Sequence, residues 1–472
     1  MLNRVPELSK EEIHMIHDAS MEVLRDVGAA FHEPEAINIF KKHGFTVDGK
    51  TVFFQENQVM KALDTVPSRF AVRGRNPQKD VRIGEKDFVL IPGWGAPFMI
   101  DSEGEQREAT LTDYENFCKL VHTSKYIDMN GFLMVMPSDV PPETSHLDMV
   151  LANILLCDKA FMGSSQDRQK AVDSLAMAAI LWGGKEKIRN NPVMPTKINP
   201  VSPLMYSEEM AGSVIEYARY GQPLQFPDLI MAGASAPVTL AGTAVVMNAE
   251  DLAGIVLAQL VNPGTPCVYG GCSCALDMRT GGLALGGPEQ IVLVSMCAQL
   301  ASFYDIPCKA GGNLTDSFYP DMQAGVESAL TIFMTLAGGV HMVDQACGIL
   351  ASFNAMSYEK FLIDEEACGM MKRILNPIEI NDETIALDQI KQAGIGGAFI
   401  EFPETLERCR TEFFLPDISI RGSYDHWKTH GKKKSSERAT EALHRRMDAY
   451  EKPDIDPEIE KDLLQFVNRK KT

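Results

Sequence analysis

At 472 residues, 45% of them apolar, the chain is long enough for two or three domains or one large barrel with additions, and too apolar for a disordered or fibrous protein. Its 45 basic and 64 acidic residues leave a net charge of −19, which argues against a nucleic-acid partner because nothing offsets phosphate repulsion. The run Met1–Glu7 carries no signal-peptide stretch, no apolar run reads as a membrane span, and most cysteines sit in apolar segments such as those of Cys267, Cys297 and Cys308; a cytoplasmic protein with reduced thiols and no membrane partner is expected.

Residues 1–85 read as a small α+β lead-in. Ser9 and Glu12 have the form of a capping box for a helix reaching Val27, with Ile13, Ile16, Val23, Leu24 and Val27 on its apolar face and Gly28 at its end. Thr51-Val52-Phe53-Phe54 suits a strand. From 86 to 360 short apolar runs alternate with helical stretches. The expected strands are Phe88–Trp94, Ile127–Met136, Ala160–Ser165, Thr196–Val201, Leu229–Ser235, Cys267–Gly271, Pro307–Asn313 and Val340–Ala346, with helices at Ala249–Leu260, Glu289–Tyr304 and Asp321–Ala337 among the later ones. Such alternation predicts a parallel sheet. Eight units would close a (β/α)8 TIM barrel, whereas fewer would leave an open doubly wound sheet. Residues 361–472 read as a helical, charged C-terminal extension. Its basic run Lys432-Lys433-Lys434 suits a solvated loop, and a last helix is expected around Glu458–Val467.

In a barrel the working residues follow the strand C-termini. That rule selects the loops beginning at Gly93-Trp94, Gly233-Ala234, Tyr269-Gly270, Gly311-Gly312-Asn313 and His341-Met342-Val343-Asp344. These loops are rich in glycine, which admits close ligand approach, and in aromatic rings: Trp94, Phe98, Tyr269, Phe318, Tyr319 and Phe353. Clustered rings attract a quaternary ammonium ion, each contributing about 0.5–2 kcal/mol, although each ring taken singly also suits ordinary packing. Asp316 and Asp344 could offset such a cation or cap a following helix. His341, inside an apolar strand, reads as a hydrogen-bonded core histidine or as a donor to an anionic group. No GxGxxG, GxxxxGK[ST] or GxSxG occurs, so nucleotide binding and serine hydrolysis have no support. Cys272 and Cys274 lack a usual zinc spacing, and no metal is expected.

Several stretches together resemble the trimethylamine methyltransferase family: Leu8-Ser9-Lys10-Glu11-Glu12 with Glu22-Val23-Leu24-Arg25-Asp26-Val27-Gly28, Gly312-Asn313-Leu314-Thr315-Asp316-Ser317 with Asp321-Met322-Gln323-Ala324-Gly325-Val326-Glu327, Ser357-Tyr358-Glu359-Lys360-Phe361-Leu362-Ile363-Asp364-Glu365-Glu366, and in the tail Phe414-Leu415-Pro416-Asp417, Tyr424-Asp425-His426-Trp427 and Asp456-Pro457-Glu458-Ile459. The resemblance covers nearly the whole chain. It implies a TIM barrel and methyl transfer to the Co(I) corrinoid (cobalamin) of a separate partner protein, with no permanently bound cofactor. The family's trimethylamine branch carries pyrrolysine. Every residue here is an ordinary one, which implies the branch acting on quaternary amines such as glycine betaine, proline betaine or carnitine.

A quaternary amine is already a cation with a neutral leaving group, so a dry pocket and alignment would supply the chemistry and no acid–base pair is needed. The expected substrate-binding set is Trp94, Phe98, Tyr269, Asn313, Asp316, Tyr319, His341, Asp344 and Phe353, with a corrinoid protein as partner and a homo-oligomer possible. Two other readings stay open: a betaine-binding or sensing protein without turnover, and an unrelated metal-dependent barrel enzyme in which Cys272, Cys274, His341 and Asp344 would be ligands.

Overall fold

The computed structural model describes residues 7–472; the N-terminal run Met1–Pro6 lies outside them. The first helix spans Lys10–Asp26 and has the expected capping box between Ser9 and Glu12, a cap that contributes about 1 kcal/mol. Ile16, Met21 and Leu24 are buried, but Val27, at the C-cap, is 59% exposed. Gly28 turns the chain at φ +77, and a Cβ there would lie 2.5 Å from the Val52 carbonyl oxygen, so only glycine fits. Ala29–Phe31 then pairs antiparallel with Thr51–Phe53, and parallel with Met205–Tyr206 from far along the chain. Stacking of Phe31 on Tyr206, with ring centroids 4.9 Å apart, ties the lead-in to the main body.

Eight short strands form the centre: β1 Val89–Leu90, β2 Met129–Asn130, β3 Ala160–Phe161, β4 Thr196–Lys197, β5 Leu224–Phe226, β6 Cys267–Tyr269, β7 Lys309–Gly311 and β8 Met342–Asp344. Parallel ladders join β2 to β3, β4 to β5 to β6, and β7 to β8. β8 also pairs parallel with β1, Met342 opposite Val89. Single links lie between these groups: a parallel bridge from Tyr269 to Cys308, the Asp128 N–H donating to Leu90 O at 3.0 Å, and the Gly163 N–H donating to Pro195 O at 2.9 Å. Neighbours in sequence are thus neighbours in space.

Seven of these strands fall inside the expected segments. The fifth does not. It is Leu224–Phe226, and the expected Leu229–Ser235 contains only the two-residue strand Met231–Ala232, which pairs with Cys274–Leu276 in a separate small sheet. Gln225 breaks the apolar run and Pro223 and Pro227 bracket it, which hides β5 from an apolar pattern; yet Gln225 is fully buried, its amide directed at the sulfurs of Met162 and Met342.

Helices follow the strands, Pro288–Phe303 after β6 and Met322–Ala337 after β7. The helix Leu240–Val261 extends nine residues earlier than expected and is long and apolar enough to cross a membrane, contrary to the sequence reading. It is a core helix here: 78% of its apolar window is buried, and it packs against Lys10–Asp26, Glu56–Leu63, Glu208–Arg219 and Pro288–Phe303. Its buried Asn248, Glu250 and Asp251 all have protein partners.

Beyond β8, the helix Tyr358–Leu375 packs against Ser435–Asp448, and Pro457–Lys471 packs against Ser145–Leu156 and Arg168–Trp182. Between them, residues 376–413 leave the body as short helices with Ile378, Ile380, Ile400 and Leu406 exposed. Arg373 Nε donates to Glu412 O at 2.9 Å at the base of this excursion. The chain then returns beneath Glu366, whose carboxylate accepts from the N–H groups of Asp417, Ile418 and Ser419.

Candidate active site

Side chains from β4, β7 and β8 and from the loops after β1, β5 and β6 converge inside the ring of strands. Lys197, the last residue of β4, and Lys309, the first of β7, both point inward and are almost fully buried. Lys197 Nζ lies 2.6 Å from Asp344 Oδ2 and 3.8 Å from the centroid of the Trp94 ring, so its ammonium rests on an indole face beside a carboxylate. Lys309 Nζ donates to Cys272 Sγ at 3.0 Å and lies 3.6 Å from the same Asp344 oxygen. Asp344 ends β8, Trp94 sits in the loop after β1, and Cys272 follows β6.

Asp228, two residues beyond β5, accepts from Ser273 Oγ at 2.7 Å. It presses against Gly271, where a Cβ would fall 1.5 Å from Asp228 Oδ1; glycine is what admits this carboxylate. Several buried polar atoms here have no hydrogen-bond partner: Asp228 Oδ2, Gln225 Oε1, both Asp344 oxygens and Lys197 Nζ, whose approach to Asp344 is close but outside hydrogen-bond alignment. Asp228 Oδ2 and Gln225 Oε1, which have no charged neighbour in hydrogen-bond alignment, cost about 1–3 kcal/mol each, whereas Lys197 and Asp344 are offset by their ion pair.

The charges are unevenly held. Burial pulls Lys197 down to about 8, against the attraction of Asp344. Burial also works to discharge Lys309, but Cys272, Asp344 and Asp228 outweigh it and hold its ammonium above the ordinary lysine value. Burial, with Glu250 nearby, pushes the Asp228 carboxyl up, and burial with Asp228 does the same to Asp251. Near neutrality the site therefore faces its interior with two ammonium groups and fewer carboxylates than its sequence suggests.

Of the residues expected from sequence, Trp94 and Asp344 meet, through Lys197. Tyr269 does not join them. Its hydroxyl donates to Asn248 Oδ1 at 3.0 Å on the helix Leu240–Val261, because strand alternation turns Tyr269 outward. His341 precedes β8, at the opposite strand end: its Nδ1 accepts from the Cys308 N–H at 3.0 Å, and its Nε2 lies 3.3 Å from Glu85 O.

Asn313 is buried and donates to Ala346 O at 2.6 Å, bracing the β7 and β8 loops. Asp316 accepts from Leu285 N–H, Gly286 N–H and Ser352 Oγ at 3.0, 3.0 and 2.6 Å, tying three rim loops together. Phe353 belongs to one of these, in a left-handed stretch Ala351-Ser352-Phe353 with φ of 50, 51 and 74. Phe98 is half-buried on a separate four-stranded sheet, against Ile100, Leu350 and Ala355. Tyr319 is exposed. Among the described residues, no group of three or more His, Cys, Asp or Glu side chains is placed to hold a metal ion.

Sequence reasoning missed Lys197, Lys309 and Asp228. The signal for the lysines was a single basic residue inside an apolar strand, Thr196-Lys197-Ile198 and Cys308-Lys309-Ala310, where a buried charge needs a partner. Asp228 was hidden by the misplaced fifth strand.

Comparison with known proteins matches residues 2–472 to the family model described as trimethylamine methyltransferase (MTTB). A glycine betaine methyltransferase of Desulfitobacterium hafniense (strain Y51) is 40% identical over 460 residues, covering 98% of this chain and 96% of the relative. A proline betaine:corrinoid methyltransferase of Eubacterium limosum is 32% identical over 471 residues, with 97% and 96% covered. Among solved structures, the monomethylamine methyltransferase of Methanosarcina barkeri superposes with a TM-score of 0.54 over 95% of this chain and 89% of that one, at 11% identity, a likeness of fold.

Proposed function

The chain belongs to the trimethylamine methyltransferase family, and we propose that it transfers a methyl group from a small quaternary amine of the betaine type to the corrinoid of a partner protein in the cytoplasm. The observation that carries this reading is the seat formed by Trp94 and Asp344: an indole face and a buried carboxylate that already stabilise one ammonium group, that of Lys197. The names of the relatives, glycine betaine methyltransferase and proline betaine:corrinoid methyltransferase, point the same way. We read β1–β8 as a (β/α)8 barrel over residues 86–360, with the lead-in 1–85 and the extension 361–472 packed on it, so the seat lies at the strand ends where barrel enzymes work.

The partner's reduced corrinoid supplies the nucleophile. This chain's share is to bind and orient the amine and to exclude water, which strengthens electrostatic contacts to the cation and lowers the cost of charge neutralisation during transfer. A general base is not needed, because the leaving tertiary amine departs neutral. Purified protein mixed with a reduced corrinoid protein and, in turn, glycine betaine, proline betaine and carnitine tests this. The expected result is a change in the corrinoid absorption spectrum, with stoichiometric demethylated amine, for at least one substrate. No change with any of the three would refute the proposal.

A further inference from the structure

The seat described above is filled by the protein itself. Lys197 Nζ rests on the Trp94 ring and against Asp344, where a substrate's quaternary nitrogen would find its best interactions. Lys309 is held differently: it is committed to Cys272 at 3.0 Å and stands further from Asp344. Two buried lysines therefore share one Asp344, and only Lys197 lacks an aligned hydrogen-bond partner. A ligand cation entering this space adds a third positive charge unless something receives the ammonium it displaces.

We propose that Lys197 is a tethered place-holder: its ammonium occupies the Trp94–Asp344 seat in the free protein, and on binding it yields that seat to the quaternary nitrogen and pairs with the substrate's carboxylate. This rests on the reading above and deepens it. The lysine's flexible four-carbon stem permits the swing. The exchange conserves ion pairs. Asp344 keeps a cation, Trp94 keeps a cation, and the released ammonium gains an anion. A quaternary amine without a carboxylate can complete only the first half, leaving Lys197 displaced and unpaired in a buried site, an arrangement that disfavours it on the order of 100-fold. Lys197 is thus a specificity residue that selects zwitterions over plain cations, and Lys309, fixed on Cys272, is the second positive wall facing the carboxylate.

Calorimetric titration of the whole protein with glycine betaine and with tetramethylammonium, without corrinoid, tests the idea in wild type and Lys197→Met. Wild type is expected to favour glycine betaine by about 100-fold. In Lys197→Met the two affinities should converge, tetramethylammonium binding more tightly than to wild type and glycine betaine more weakly. An unchanged ratio, a parallel loss of both, or no binding of either ligand to either protein overturns the proposal. If the variant does not fold, a crystal structure of wild type with glycine betaine decides: Nζ bonded to the ligand carboxylate, with the quaternary nitrogen over Trp94, supports it, and Nζ still over Trp94 overturns it. Because turnover is not read, the expected binding pattern without corrinoid methylation would refute the proposed reaction while leaving the place-holder intact.

Discussion

Glu250→Gln should stabilise the protein, and more so as the pH rises. Glu250 lies on the buried helix Leu240–Val261, where its two carboxylate oxygens accept from Leu204 N–H at 2.7 Å and Ser202 Oγ at 2.8 Å. Burial raises its pKa from 4.5 to about 7, and those two hydrogen bonds only partly oppose the rise. Between these values the native state keeps a proton that the unfolded chain releases. Stability is therefore complete below the unfolded value and falls with increasing pH until the folded value is passed, by about 1.4 kcal/mol per unit and about 3 kcal/mol in all. Glutamine does not titrate. Its oxygen still accepts from Leu204, and its amide can donate to Ser202 once that hydroxyl turns.

With about 2.1 cal/mol/K of unfolding entropy per residue, a chain of this length has about 1 kcal/mol/K, so the variant should melt about 3 °C above wild type at pH 8, with the gap shrinking toward pH 5. Thermal unfolding across pH 5–8 measures it. Parallel melting curves, with a gap independent of pH, would refute the assignment of the penalty to Glu250.

Trp94→Leu removes the ring that holds Lys197 and that we propose takes the substrate's cation; the net loss is the difference, about 1 kcal/mol or fivefold in glycine betaine affinity by calorimetry, and an unchanged affinity would take the ring out of the site. Gly271→Ala sets a methyl group against Asp228 and should cost about 1–3 kcal/mol in denaturant unfolding, whereas wild-type stability would mean that the Asp228 loop yields freely. Tyr269→Phe strands Asn248 Oδ1 and should lower stability by about 1–2 kcal/mol while leaving glycine betaine affinity within twofold; a large affinity loss would bring Tyr269 back to the substrate.

Much of this architecture was legible in the sequence because seven central strands lie in short, mostly apolar stretches bounded by turn residues, and because turn glycines and helix caps such as Ser9 are local signals. β5 escaped since a buried glutamine between prolines looks like a loop until Met162 and Met342 are seen around it. Trp94 and Asp344, which the structure brings together around Lys197, could be picked out because both lie at strand ends. The lysines could not, because a basic residue in an apolar strand acquires meaning only when its counter-charge, distant in sequence, is brought alongside. Tyr269 and His341 show the complementary error: inward or outward facing, and top or bottom of a strand, depend on a register that spacing alone leaves open by one residue.

The excursion 376–413 leaves and rejoins the body at one point, where Arg373 grips the Glu412 carbonyl. Its two ends are neighbours whether or not anything lies between them, so its length and content are free to drift without disturbing the strands or the lysine pair. Residues can therefore be added to or removed from this segment with little effect on the strands beneath it.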